Sequence, residues 1–297
     1  MNNQTRFVLC SVGVLLAAAI WGFAFVVVKD SLDYIGPVWM MAFRFTIASG
    51  FLCAVFFKSL VKLGKRGWIH GAVLGFYLFA AYLFQTIGCN YTTAGKNAFL
   101  TTIYVFLVPV LIWIFTRKRP QWYVFLCAIM SVVGIGLLAL GSSDSAMINI
   151  GDVLTLICGI FYAVHIFFTA KYNEEHNPVV LTALQFLFAA IFSWILAPFF
   201  DGPMPVEQMT SCRVIISMLY LGVFSTLVAF VLQNVGLKYL PSAWTSLLMS
   251  FESVFGVLFG LIVLGEHLTA RMAAGCALIF IAVVLAQVLP ELKKREE

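Results

Sequence analysis

The sequence predicts an all-α membrane protein of ten transmembrane helices, built as two inverted five-helix repeats over residues 1–148 and 149–297. Three observations predict it: a composition suited to lipid, ten apolar runs separated by turn residues, and an internal similarity at half the chain length. Hydrophobic residues make up 62% of the chain and charged residues only 10%, with a mean hydropathy of +1.01. A water-soluble domain carries about 25% charge to dress its surface. The modest net charge of +5 sits in short loops rather than in one basic groove, which argues against nucleic acid as a partner.

A helix needs about 20 mainly apolar residues to cross a bilayer. On that measure the spans are Phe7–Val28, Pro37–Phe57, Trp68–Cys89, Ala94–Phe115 and Trp122–Leu140, followed by Asp152–Tyr172, Pro178–Phe199, Val214–Leu237, Ser242–Leu264 and Met272–Leu289. Gly36-Pro37, Gly64-Lys65-Arg66, Arg119-Pro120, Asn177-Pro178, Asp201-Gly202-Pro203 and Tyr239-Leu240-Pro241 punctuate them. The first run resembles a cleavable leader, with Arg6 ahead of it and Ala17-Ala18-Ala19 within it. It continues through Trp21 to Val28, however, beyond the usual leader core of about 7–15 residues, and is read as the first span.

Lysine and arginine set the orientation. One side of the alternating loops, the side holding both termini, carries thirteen: Arg6, Lys58, Lys62, Lys65, Arg66, Arg117, Lys118, Arg119, Lys171, Lys238, Lys293, Lys294 and Arg295. The other carries four, Lys29, Lys96, Arg213 and Arg271. The positive-inside rule then predicts a multi-pass protein of the cell (inner) membrane with both termini cytoplasmic.

Shifting the chain by 148 residues lays Gln85-Thr86-Ile87-Gly88-Cys89-Asn90-Tyr91 on Gln233-Asn234-Val235-Gly236-Leu237-Lys238-Tyr239, with Gln, Gly and Tyr in register. Trp21-Gly22 and Tyr162-Ala163 hold similar places in spans 1 and 6. Five is odd, so the second half would enter the membrane upside down. Inverted repeats underlie alternating access in many carriers.

The chemistry is sparse. Gly95-Lys96-Asn97 lacks the upstream glycine and following Ser/Thr of a phosphate loop, which argues against an ATP-driven pump. The seven cysteines are scattered through apolar runs with no CxxC spacing, so neither a disulfide framework nor a metal or cofactor site is expected.

Glu252 lies near the middle of span 9, where a carboxylate costs at least ~2.5 kcal/mol and should face a cavity or a partner. It reads as a site for a substrate amine or a proton, or as a structural carboxylate tied to a neighbouring hydroxyl or amide. In span 6, Thr155, Cys158, Tyr162, His165 and Thr169 form one polar face; His165 is a proton relay, a substrate contact or a packing group. In span 4, Lys96, Asn97 and Tyr104 form another polar set, with Lys96 close enough to the interface to snorkel. The 148-residue shift pairs Lys96 with Trp244 and Tyr104 with Glu252. Gln85 and Gln233 are repeat mates, preceded one turn earlier by Tyr82 and Phe230; each bonds another helix or touches substrate. Arg44, deep in span 2, reads as an anchor to carbonyls or to a glutamate. Gly71/Gly75 and Gly256/Gly260 are GxxxG pairs suited to close helix approach.

Trp21-Gly22-Phe23-Ala24-Phe25 with Lys29, Arg44, Gln85 through Ala94, and Ala98-Phe99-Leu100-Thr101-Thr102 through Pro109 carry a resemblance. Gly151-Asp152, Ser250-Phe251-Glu252 and Leu264-Gly265-Glu266 extend it. In this order and spacing the chain resembles the drug/metabolite transporter superfamily, in its EamA family. Where many members place proline after the span-9 carboxylate, this chain has Ser253. The resemblance implies ten helices, an inverted repeat, a cavity from spans 1, 3, 4, 6, 8 and 9, and export of amino acids or other metabolites. The expected function is therefore a secondary transporter of small polar or zwitterionic compounds working by alternating access. Its expected partners are a small-molecule substrate and the lipid bilayer, with proton coupling through Glu252 or His165. Substrate contacts are expected from Trp21, Tyr82, Gln85, Lys96, Asn97, Tyr104, Tyr162, His165, Gln233, Trp244 and Glu252. The alternatives are an intramembrane enzyme and a channel-like permease.

Overall fold

The structure, a computed structural model, describes residues 3–92, 94–117, 119–139, 149–263 and 270–296. Its elements among these are helical: α1 (Asn3–Ser31), α2 (Pro37–Val55), α3 (Lys65–Tyr91), α4 (Ala94–Thr101), α5 (Tyr104–Thr116) and α6 (Trp122–Ala139). They continue as α7 (Ile150–Asn173), α8 (Pro178–Phe200), α9 (Cys212–Tyr239), α10 (Ser242–Met249), α11 (Phe251–Val263) and α12 (Ala270–Glu296). Two short turns of helix, Phe57–Val61 and Val206–Met209, join them.

Among the described residues, six helices are long and apolar enough to cross a bilayer: α1 from Gln4, α2, α3, α7, α8 and α9. They coincide with spans 1, 2, 3, 6, 7 and 8 of the sequence. Spans 4 and 9, read as continuous, are each broken: α4 gives way to α5 at Thr102-Ile103, and α10 to α11 at Ser250. The backbone tightens at both places. Ile103 N–H reaches Leu100 O, Val105 N–H reaches Thr102 O, and Ser253 N–H reaches Ser250 O, all three-residue bonds. The Ser250 hydroxyl also donates to Leu247 O at 2.6 Å, the kind of side-chain competition that bends a helix. The break thus forms with Ser253 in place of proline.

Apolar side chains face outward as well as inward. Phe199 is 86% exposed and Ile262 78%, alongside Val12, Phe51, Ile114 and Phe224. Such surfaces suit acyl chains, while the polar residues turn inside: Thr155, Cys158, His165 and Thr169 of α7 are all buried, as their shared face predicts.

The helices interlock across the two halves of the chain. α3 packs on α7 and α8, α2 on α8 and α9, α1 on α9 and α11, α5 on α7, and α6 on α12. Gly71 and Gly75 let α3 approach α8 closely, because a Cβ on either would come within 2.5 Å of Leu184 or Phe188. The helix ends are capped by distant residues. The Asp201 carboxylate accepts from the amides of Val38 (2.7 Å) and Trp39 (2.8 Å) at the start of α2. Burial pushes the Asp201 carboxyl above its ordinary range, and these two amides pull against that rise. Lys29 Nζ donates to Cys89 O at 2.7 Å, satisfying a carbonyl at the end of α3. Asn149 and Asp152 form a reciprocal capping box that opens α7, and Thr92 donates to Asp152 at 2.7 Å.

Candidate functional site

A cavity lies at the centre of the bundle, lined from α1, α2, α3, α4, α5, α7, α9, α10 and α11. Its non-atom space, counting the part open to solvent, is about 590 Å³. Small-molecule sites span about 300–1,000 Å³. Eight of the eleven residues singled out from the sequence line it: Trp21, Tyr82, Gln85, Asn97, Tyr104, Tyr162, Gln233 and Glu252.

One wall is aromatic. Tyr82 meets Tyr162 edge-on at 5.7 Å, Tyr104 meets Tyr162 at 6.4 Å, and Phe230 bridges Trp21 (5.0 Å) and Tyr82 (6.0 Å). An amide network holds the opposite corner. Tyr162 donates to Gln85 Oε1 (3.2 Å), Gln85 Nε2 donates to Thr101 (3.3 Å), and Asn97 Nδ2 donates to Gln85 O (3.0 Å) and Thr155 (2.9 Å). In the second half Gln233 Nε2 donates to Met249 Sδ at 3.3 Å. Residues 85 and 101 stand 148 positions before 233 and 249, so the same side-chain bond recurs in both halves.

Glu252 is 7% exposed, and among the described residues no hydrogen bond reaches its carboxylate. The Tyr104 hydroxyl, Asn97 Oδ1 and Gln233 Oε1 are likewise buried without a partner among the described residues. A buried polar atom left unpaired costs roughly 1–3 kcal/mol. Four such groups around one cavity are free to meet a polar guest.

Arg44 is the site residue that the sequence placed least well. It is 2% exposed, and it is held by hydroxyls rather than by carbonyls or a glutamate. Its Nε donates to Thr226 (2.8 Å), one terminal nitrogen donates to Ser225 (2.9 Å), and its guanidinium lies over the Tyr82 ring at 4.5 Å. Ser225 and Thr226 belong to a π-helical stretch of α9, Tyr220–Val228. There Thr226 donates to Leu221 O, and the Ser225 carbonyl accepts the Trp21 indole N–H at 2.8 Å. A widened turn thus fixes Arg44 and Trp21 together, as π-bulges at functional sites often do. The only hint in the sequence was a polar Ser-Thr pair inside an apolar run.

The remaining expected residues lie elsewhere. His165 is buried between α7 and α8, bonded to Gln185 at 2.7 Å and packed edge-on against Phe230 behind the cavity wall. Trp244 donates to Ser11 at 3.1 Å and stacks on Phe7, where α10 meets the start of α1. The side chain of Lys96 and the Leu264-Gly265-Glu266 segment lie outside the described residues.

A helical bundle with long apolar helices around a central, partly polar cavity defines a class: membrane proteins that handle small solutes. The chain belongs to the EamA-like transporter family, whose model matches residues 9–140 and again 149–287. It is 33% identical over 275 residues to a protein of Archaeoglobus fulgidus named uncharacterized transporter, covering 92% of this chain and 84% of that one. It is 26% identical over 247 residues to the threonine/homoserine exporter RhtA of Escherichia coli (strain K12), covering 81% of this chain and 78% of that one. A solved crystal structure superposes with a TM-score of 0.80 over 94% of this chain and 96% of that one; at 16% identity the likeness concerns the fold. The protein is accordingly a membrane transporter and not an intramembrane enzyme.

Proposed function

We propose that this protein is a secondary exporter of small zwitterionic metabolites, amino acids of the threonine and homoserine kind first among them. It would work by alternating access between two inverted five-helix repeats, residues 1–148 and 149–297, with both termini cytoplasmic. The observation that carries this reading is the central cavity, where the Glu252 carboxylate meets a phenol and two amide oxygens, drawn from both halves, that have no partner among the described residues. An ammonium group would meet Glu252 and the amide oxygens of Asn97 and Gln233, and a hydroxyl or carboxylate on the solute would accept from the Tyr104 phenol. The aromatic wall would exclude water.

Three observations support the repeat. The helix breaks fall 148 residues apart, at Thr102 and Ser250. The Gln85–Thr101 and Gln233–Met249 bonds recur at the same spacing. The packing is unchanged when the halves are exchanged: α3 on α7 answers α9 on α1, α5 on α7 answers α11 on α1, and α2–α8 and α6–α12 answer themselves. Two halves of like shape can exchange which side of the cavity is open.

The test is efflux from proteoliposomes loaded with a panel of amino acids, threonine and homoserine included. With a pH gradient imposed, the unmodified chain should release at least one of them beyond equilibration, and Glu252→Gln should slow that release at least tenfold. If nothing in the panel moves, the substrate class is wrong. Release that never exceeds equilibration identifies a channel-like permease instead. Proton coupling through Glu252 predicts that an imposed pH gradient changes the rate in the unmodified protein and not in Glu252→Gln. Reporter fusions at the two termini should both read cytoplasmic; opposite sides would dismantle the repeat.

A further inference from the structure

Away from the cavity, at the end of the bundle that carries Arg66 and Lys238, three metal-binding side chains come together. His70 projects from the second turn of α3, and Glu175 and His176 from the turn between α7 and α8. Their ligand atoms all lie within 4.8 Å of one another. We propose that His70, Glu175 and His176 form a site for a divalent transition cation of the Zn²⁺ type, which ties α3 to the α7–α8 turn.

The distances suit such an ion. His70 Nδ1 and His176 Nε2 are 3.1 Å apart. Two nitrogens on a tetrahedral zinc, each at about 2.0–2.1 Å, stand roughly 3.3–3.4 Å apart. Small outward movements of two rings that already face each other would seat the ion. Glu175 Oε2 is 4.0 Å from His176 Nε2, and a swing of roughly half an ångström brings it into the same sphere. Imidazole with one carboxylate and an open position for water is a donor set that zinc accepts.

The surroundings hold the donors in place. The His70 ring stacks on Tyr172 at 3.8 Å with its plane only 4° away, which fixes its orientation. Glu175 uses its other oxygen, Oε1, to accept from Arg66 at 3.1 Å, so Oε2 faces the histidines. The His176 carbonyl accepts from Lys238 Nζ at 3.3 Å, steadying the turn. Outer contacts of this kind orient ligands and set metal affinity. The site spans the seam where α3 packs on α7 and α8, so an ion there would clamp first-half and second-half helices together at one end of the bundle.

The experiment uses the full chain in detergent, stripped with chelator and titrated with Zn²⁺ by equilibrium dialysis and with Co²⁺ by visible absorption. One saturable ion per chain and an intense Co²⁺ band typical of a four-coordinate nitrogen–oxygen site are expected. His176→Ala should lower Zn²⁺ affinity at least 100-fold. Arg66→Ala, an exposed change that leaves the ligands intact, should lower it about tenfold. His70→Gln retains a hydrogen-bonding group beside His176 and should fold normally while losing the ion. Binding undiminished in His70→Gln, or the lack of saturable Zn²⁺ and of the Co²⁺ band in the unmodified chain, would overturn the site and leave the pair as a hydrogen bond between two imidazoles.

Discussion

Replacing Gly22 with alanine places a methyl group 2.8 Å from the Glu252 carbonyl oxygen, the Gly256 amide nitrogen and Phe255 Cβ. Two of the three are backbone atoms, so no rotamer change relieves the contact. Restoring a separation of 3.4 Å, the near edge of ordinary contact, forces α1 and α11 apart by about 0.6 Å. Overpacking of this kind costs about 1–3 kcal/mol, and three simultaneous contacts put the expectation in the upper half of that range. Gly50 on α2 provides the control, because a Cβ there meets nothing within 4 Å. Gly50→Ala should gain roughly 0.5–1 kcal/mol from the helix preference of alanine. Reversible unfolding in mixed micelles, followed by far-ultraviolet circular dichroism, compares the two. Since the crowded carbonyl is that of Glu252, Gly22→Ala should also slow solute release. A Gly22→Ala protein within 0.5 kcal/mol of the unmodified chain, or a Gly50→Ala protein that falls as far, would refute the close approach of α1 and α11.

Arg44→Ala should destabilise by more than Arg44→Lys, because lysine keeps the buried charge but lacks the fork that reaches Ser225 and Thr226 together; each such bond is worth roughly 1.5–3 kcal/mol, and unfolding of both variants checks the order. A double-mutant cycle of Gln85→Leu and Tyr162→Phe should return a coupling of about 0.5–1.5 kcal/mol, whereas additive effects would separate the two side chains. Asp201→Ala should cost about 0.5–2 kcal/mol through loss of the cap on α2, with Asp201→Asn recovering part of it as an acceptor without charge; equal losses in the two would argue against the amide contacts of Val38 and Trp39.

The sequence was most legible where one side chain or one run decides the matter. The six long helices follow from uninterrupted apolar runs, and the α7 face turned inward because Thr155, Cys158, His165 and Thr169 share one stripe. Glu252, Tyr104, Gln85 and Gln233 reach one cavity because a polar group at depth has nowhere else to go. The rest depends on partners distant along the chain. Arg44 meets Ser225 and Thr226 some 180 residues later, and nothing in their local pattern announces it. His165 and Trp244 carry polar atoms at suitable places in the chain, yet each finds a partner on a neighbouring helix, Gln185 and Ser11. The break after Met249 has a serine hydroxyl competing for backbone oxygen, and the break before Tyr104 a tightened three-residue turn, choices that hydropathy does not register.

The widened stretch of α9 from Tyr220 to Val228 sets the rotational phase of everything that follows it. Each residue turns an α-helix by about 100° and a wider π-helix by less, so a regular α-helix through the same segment would swing Gln233 and Asn234 around the axis. Gln233 would leave the cavity, and Asn234 would lose Thr182 of α8, to which it donates at 2.7 Å. The wide turns beside Arg44 and Trp21 thus decide which face of α9 the solute would see.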